Sequence, residues 1–215
     1  MAFVQIITDQ TTLSEKALFQ RLESAAVYTQ NARSKLSVQL RDPQLPVREK
    51  LRLGQKLRRL TLELGAQLVI GDRIDLALLL GADGVHLGGR SMGIQDARRL
   101  VGPNMFISCA AHRIQDVVDA CSAGANAAFL SPIYPSPGKA TPIGPEALAS
   151  ARALLNQRTI PFLLFALGGV DLQNAPICLA SGAHGVAAIR ADLLPCLEFE
   201  PPAQLGGAWT THPQK

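Results

Sequence analysis

The sequence predicts a single α/β domain, a (β/α)8 TIM barrel with parallel strands. Two observations carry this. Short apolar segments alternate with helix-patterned segments from one end of the chain nearly to the other. That alternation is the mark of a parallel sheet with crossover helices. Gly-Ala pairs also recur where a helix gives way to a strand, at Gly65-Ala66, Gly81-Ala82, Gly124-Ala125 and Gly182-Ala183. Eight such units close naturally into a barrel. An open doubly wound sheet is the alternative, but no glycine-rich dinucleotide fingerprint follows the first strand.

Taken in order, strand one is Phe3 to Ile7, closed by Thr8-Asp9. A helix is expected from about Leu13 to Gln30, starting at Ser14-Glu15-Lys16, and strand two from Lys35 to Leu40. The helix from Pro46 to Leu64 carries leucines at 51, 53, 57, 60 and 64, a broad apolar face, and Gly65 closes it. Strand three, Gln67 to Ile70, leads through Gly71-Asp72-Arg73 into a short helix ending at Gly81. Strand four is Gly84 to Leu87, followed by Gly88-Gly89-Arg90-Ser91. Helix Ile94–Val101, strand Met105–Cys109, helix Gln115–Ser122 and strand Ala127–Leu130 come next. Helix Glu146–Asn156, strand Phe162–Ala166, helix Leu172–Ala180 and strand Gly185–Ile189 complete the set. Residues 1–198 form the expected barrel. Residues 199–215, rich in Pro, Gly and Thr and without period, form a tail expected to be poorly ordered.

The 215 residues are 47% hydrophobic and 18% charged, which suits one domain with a sizeable core. Aromatics are 5%, too few for the stacking platforms of single-stranded nucleic-acid binders. A net charge of +4 suits an anionic small ligand. The chain opens directly on a strand-like segment and holds no apolar run of membrane-spanning length, so a cytoplasmic protein is expected. Cys109, Cys121, Cys178 and Cys196 are widely spaced and read as buried free thiols.

In such a barrel the chemistry sits at the C-terminal ends of the strands. The most distinctive of these ends is Phe129 to Thr141. Pro132, Pro135 and Pro137 stiffen the loop, Gly138 permits close approach, and Lys139 is its cation. The other ends supply Gln39 and Arg41, Asp72, His86, Arg90-Ser91, His112, Gly168-Gly169 and Ile189-Arg190. Gly168-Gly169 and a helix start after strand eight occupy the usual phosphate position of the fold. Arg41 and Lys139 can meet a second anion, and Asp72 can hold Mg²⁺. Plainer readings stand beside these. Asp72 could simply pair with Arg73 or a neighbouring loop, His86 could be satisfied inside the barrel, and His112 could cap a helix.

Together these stretches resemble the thiamine phosphate synthase and thiazole tautomerase superfamily. The matching segments are Val38-Gln39-Leu40-Arg41, Val69 to Ala77, Gly81 to Gly88, Ser131 to Ser136 with Lys139, Ala166 to Gly169, and Gly185 to Ile189. They span residues 3 to about 195. The resemblance implies a transferase joining an aminopyrimidine diphosphate to a thiazole phosphate with release of diphosphate. It implies that Arg41 and Lys139 bind diphosphate, Gln39 orients the pyrimidine or diphosphate, and Asp72 ligates Mg²⁺. Ser136 stands where the family usually has threonine. Gly168, Gly169, Ile189 and Arg190 hold the thiazole phosphate, and His112 belongs to the substrate site. A homodimer is expected on the same ground. The family's Gln-x-Arg-x-Lys reads Gln39-Leu40-Arg41-Asp42-Pro43, its Asn-Asp reads Gly71-Asp72, and its second magnesium aspartate reads Ser91. The serine after strand five reads Ala110, and a hydroxyl in the strand-six loop reads Gly138. Arg90 or Arg73 could replace some of the lost charge. A thiazole phosphate tautomerase and a catalytically silent phosphate-binding barrel are the alternatives.

Overall fold

The computed structural model describes residues 2–29, 35–158 and 160–199. Eight strands close into a barrel in chain order, each parallel to both neighbours. They are β1 Phe3–Ile7, β2 Leu36–Leu40, β3 Gln67–Gly71, β4 Gly84–Leu87, β5 Phe106–Ala111, β6 Ala127–Leu130, β7 Leu163–Leu167 and β8 Gly185–Ala188. The helices are α1 Glu15–Ser24, α2 Ala26–Thr29, α3 Val47–Leu64, α4 Ile74–Leu79, α5 Ile94–Val101, α6 Ile114–Ser122, α7 Glu146–Leu155 and α8 Ala175–Ala180. The predicted barrel is therefore the observed one.

The corrections are local. The first expected helix is two, because the chain turns at Ala25, whose N–H reaches back to Leu22 O at 3.0 Å. Strand five runs on to Ala111, since Ala110 and Ala111 pair with Phe129 and Leu130. The helix expected from Leu172 starts at Ala175, because the Asp171 carboxylate first caps the N–H groups of Gln173 and Asn174. After β8 the expected helix start is a five-residue 3₁₀-helix, Leu194–Glu198. The tail lies outside the described residues beyond Phe199, whose carbonyl accepts from Ala2 N at 2.8 Å. All four cysteines are free and buried. The glycines of the repeated Gly-Ala joints, at 65, 81, 124 and 182, all have positive φ, which is why a helix stops at each.

Two apolar layers hold the barrel. One lies between strands and helices; the other fills the interior with Phe3, Phe106, Phe129 and Phe165. Phe129 and Phe165 stack at 4.4 Å. The aromatic plug closes the interior, so a ligand has access only at the rim.

The N-terminal face carries a construction used three times. The residue before β4, β6 and β8 accepts a backbone N–H from the preceding strand and faces an arginine from an outer helix. Asp83 Oδ2 accepts from Leu68 N at 2.8 Å and Arg58 Nη1 at 2.7 Å. Asn126 Oδ1 accepts from Ile107 N at 2.9 Å and Arg98 Nη2 at 2.7 Å. At the third place His184 Nδ1 accepts from Leu164 N at 2.9 Å, and Arg152 Nη1 lies 2.6 Å from Nε2. An oxygen can accept two donors, but a neutral imidazole accepts at one nitrogen only. With Nδ1 taken, Nε2 turns its own proton toward a guanidinium. Burial, and next the Arg152 and Lys35 cations, bring the His184 pKa down from 6.5 to about 3.

His184→Asn should therefore stabilise the fold by about 1 kcal/mol, the worth of one restored hydrogen bond. It should also flatten the acid limb of stability. Unfolded His184 takes up a proton near its ordinary value of 6.5, while the folded residue stays neutral down to about 3. The unfolded chain binds more protons in that window, so stability falls as pH falls, by up to about 1.4 kcal/mol per unit from this residue. Urea melts at pH 7 and pH 5 on both proteins check this; a variant as acid-sensitive as the wild type would contradict it.

Candidate active site

The predicted residues are brought together at one rim, the C-terminal ends of the strands. On β2, Gln39 is buried inside the barrel and Arg41 follows the strand half-exposed. Gln39 Oε1 accepts from Gln5 Nε2 at 2.8 Å. Arg41 N donates to Thr8 Oγ1 at 3.1 Å, and its guanidinium lies 3.4 Å from the Asp9 carboxylate. Asp42, at φ 24°, turns inward, accepts from Gln10 N at 2.6 Å and from the Thr8 hydroxyl, and is buried. This carboxylate pins the β1 and β2 loops together and so fixes the root of Arg41. Asp9 and Asp42 were missed by sequence reasoning. Both flank strand ends, and only barrel closure shows that they face each other's loops.

Asp72 follows β3 at φ 62°, and its N–H donates to His86 O at 2.9 Å. Its Oδ1 accepts from Gly88 N at 3.0 Å and from the Ser91 hydroxyl. Of its plainer partners, Asp72 meets the neighbouring β4 loop and not Arg73, because Arg73 Nε donates to Asp75 at 2.8 Å. That pair also removes Arg73 as a free replacement cation, while Arg90 is exposed on the β4 loop. Among the described residues no three His, Cys, Asp or Glu side chains converge as a metal site. Asp72 offers one carboxylate with Oδ1 already engaged. That donor set fits a Mg²⁺ arriving with its own phosphate oxygens and does not fit an all-protein cage.

His86 is satisfied within the barrel, as its plainer reading had it. Its Nδ1 lies 3.0 Å from Ser108 Oγ and its ring meets the Phe129 edge at 5.0 Å. Burial chiefly lowers its pKa to about 4. His112 is not the helix cap: Arg113 holds the N-cap position, and Asp116 accepts from the His112 and Arg113 N–H groups, each at 3.0 Å. The His112 ring instead donates from Nδ1 to Ser131 O at 2.8 Å. A carbonyl only accepts, so Nδ1 carries a proton.

The β6 loop is laid along the end of β7. Ile133 N donates to Leu167 O at 3.0 Å and Tyr134 N to Gly168 O at 2.9 Å. This proximity admits only glycine at 168 and 169. A Cβ at Gly168 would lie 2.7 Å from Pro132 Cα, and one at Gly169 2.5 Å from Pro135 O. Both have positive φ, 89° and 68°. Among the described residues neither glycine N–H donates to a carbonyl. Further along the loop Lys139 N donates to Ser136 O at 3.1 Å, closing a turn that leaves the lysine exposed and Ser136 half-buried. Ile189 packs on the interior layer, and the exposed Arg190 is anchored through its carbonyl by Arg21 Nη2 at 3.3 Å.

A family model described as thiamine monophosphate synthase matches residues 4–191. The chain belongs to the thiamine monophosphate synthase family. Its relatives in this family include a thiamine-phosphate synthase of a Roseiflexus species, 34% identical over 191 residues, which cover 87% of this chain and 77% of the relative. A thiamine-phosphate synthase of Pyrococcus horikoshii is 35% identical over 189 residues, 86% of this chain and 84% of that one. Among solved structures, a thiamine phosphate pyrophosphorylase from Pyrococcus furiosus superposes with a TM-score of 0.73 at 28% identity, covering 92% of each chain. Family membership favours the synthase over the tautomerase and the silent barrel.

Proposed function

We propose that this chain is a transferase of thiamin biosynthesis, joining an aminopyrimidine diphosphate to a thiazole phosphate with release of diphosphate. The reading is supported best by the family match, together with the cations, the Asp72 carboxylate and the glycine N–H groups, without a carbonyl partner among the described residues, at the strand ends of one rim. In this reading Arg41 and Lys139 hold the diphosphate, and Ser136 adds a hydroxyl. Their positive charge stabilises the leaving group as the C–O bond to the pyrimidine methylene lengthens. Gln39 orients the aminopyrimidine. Gly168, Gly169 and Arg190 bind the thiazole phosphate, Ile189 packs against its ring, and His112 lines the same site. The thiazole nitrogen then attacks the pyrimidine cation.

Mg²⁺ bound with the diphosphate supplies further charge neutralisation, and Asp72 is the residue that would hold it. The chemistry is assigned to residues 1–198, acting as a homodimer in the cytoplasm. Among the described residues no helix is long and apolar enough to cross a membrane. The test is diphosphate release from both substrates with and without Mg²⁺. Metal-dependent release is expected, and Asp72→Ala should raise the Mg²⁺ concentration needed for half-maximal rate. Binding of thiazole phosphate with no diphosphate release would overturn the reading.

A further inference from the structure

We infer that Gln5 and Ser37 are positioning residues that fix which end of the Gln39 amide faces the rim. The inference rests on the proposed function, in that Gln39 meets substrate. It comes from a buried polar string between β1 and β2, separate from the His86–Ser108 pair between β4 and β5. Ser37 Oγ donates to Gln5 Oε1 at 3.0 Å, and Gln5 Nε2 donates to Gln39 Oε1 at 2.8 Å. All three side chains are buried at 0–2% exposure. A carboxamide has one oxygen and one NH₂. With its oxygen held by β1, Gln39 must turn its NH₂ away, toward β3.

Space has been left for it there. A Cβ at Gly71 would lie 3.3 Å from Gln39 Nε2, so glycine at this strand end lets the NH₂ stand clear. The string has a direction, and Ser37 sets it. Running it backwards would make Gln39 donate to Gln5 Oε1 and Gln5 donate to the Ser37 hydroxyl. Ser37 would then be left to donate to Val4 O at 3.5 Å. A contact of 3.5 Å is at the limit of a hydrogen bond, whereas 3.0 Å is well inside it. The forward string wins, and Gln39 acts as a donor. Its partner is then an acceptor atom of the aminopyrimidine diphosphate, a ring nitrogen or a phosphate oxygen.

Gln5→Met keeps the volume and removes the string. The KM for the aminopyrimidine diphosphate should rise about tenfold, the worth of one hydrogen bond, with kcat changed less. The Kd for thiazole phosphate should not move, a split that general loosening of the barrel would not give. In a Gln39→Met background the same change should have no further effect, since residues acting through one contact are not additive. If Gln5→Met fails to fold, Ser37→Ala removes a single hydroxyl and should raise the same KM about threefold, again without moving the thiazole phosphate Kd. An unaltered KM in the variant that folds, or a full additional loss in the Gln39→Met background, overturns the inference alone. A wild type that releases no diphosphate overturns the proposed function and this inference together.

Discussion

Arg41→Ala should lower kcat/KM for diphosphate displacement by about 100- to 1,000-fold, the loss usual when a charge-stabilising donor is removed. The thermal midpoint should barely change. The guanidinium is 42% exposed and its one ion pair, to Asp9, spans 3.4 Å, so it contributes little to folding. What it offers a diphosphate is a planar fork able to make two charge-assisted bonds at once, which Asp9 at that distance does not use. Arg41→Lys restores the charge without the fork and should recover only part of the loss. Steady-state kinetics beside a thermal melt separate the two effects. Activity within threefold of the wild type would remove Arg41 from the proposed mechanism.

Gly168→Ala should damage stability and function together. The residue sits at φ 89°, and a Cβ would lie 2.7 Å from Pro132 Cα and 2.8 Å from Pro132 Cβ. Neither neighbour is a flexible side-chain end, so backbone must move. Left-handed strain and overpacking together cost roughly 2–4 kcal/mol. In a chain of this size that lowers the melting temperature by about 4–16 °C. The displaced segment is the one whose Ile133 and Tyr134 N–H groups bond to β7 and which leads on to Ser136 and Lys139. Thiazole phosphate affinity and diphosphate release should therefore fall in the same variant. Calorimetry and ligand titration measure both, and an alanine variant with native melting and wild-type turnover would sink the argument.

The barrel was legible because its signals are local. Helix periodicity, the Gly-Ala joints and apolar strands each lie within a few residues, and every strand was anticipated to within about two residues at each end. The misplaced ends reflect competing local bonds, as where Asp171 delays α8. The site was half legible. Strand ends name the residues that reach the rim, because parallel strands leave them nowhere else to go. They do not name each residue's partner. Arg73 turned to Asp75, Asp42 to Thr8 and Gln10, and Gln5 to Gln39. All of these but the Arg73–Asp75 pair join residues more than thirty positions apart, and their register is set only when the barrel closes.

The three basal clamps partition the chain. They fall within Val47–Leu87, Ile94–Leu130 and Glu146–Ala188; the first two each tie an outer helix to two consecutive strands, and in the third Arg152 faces the His184 Nε2 proton instead. The cassettes begin after the loops that follow β2, β4 and β6, which hold Arg41, Ser91 and Lys139. Opening the chain at such a junction severs no clamp. Cassettes could thus be exchanged between homologues, or new ends introduced there, with the basal scaffold intact. In this barrel the junctions that cross no basal clamp are also the loops on which substrate binding is proposed.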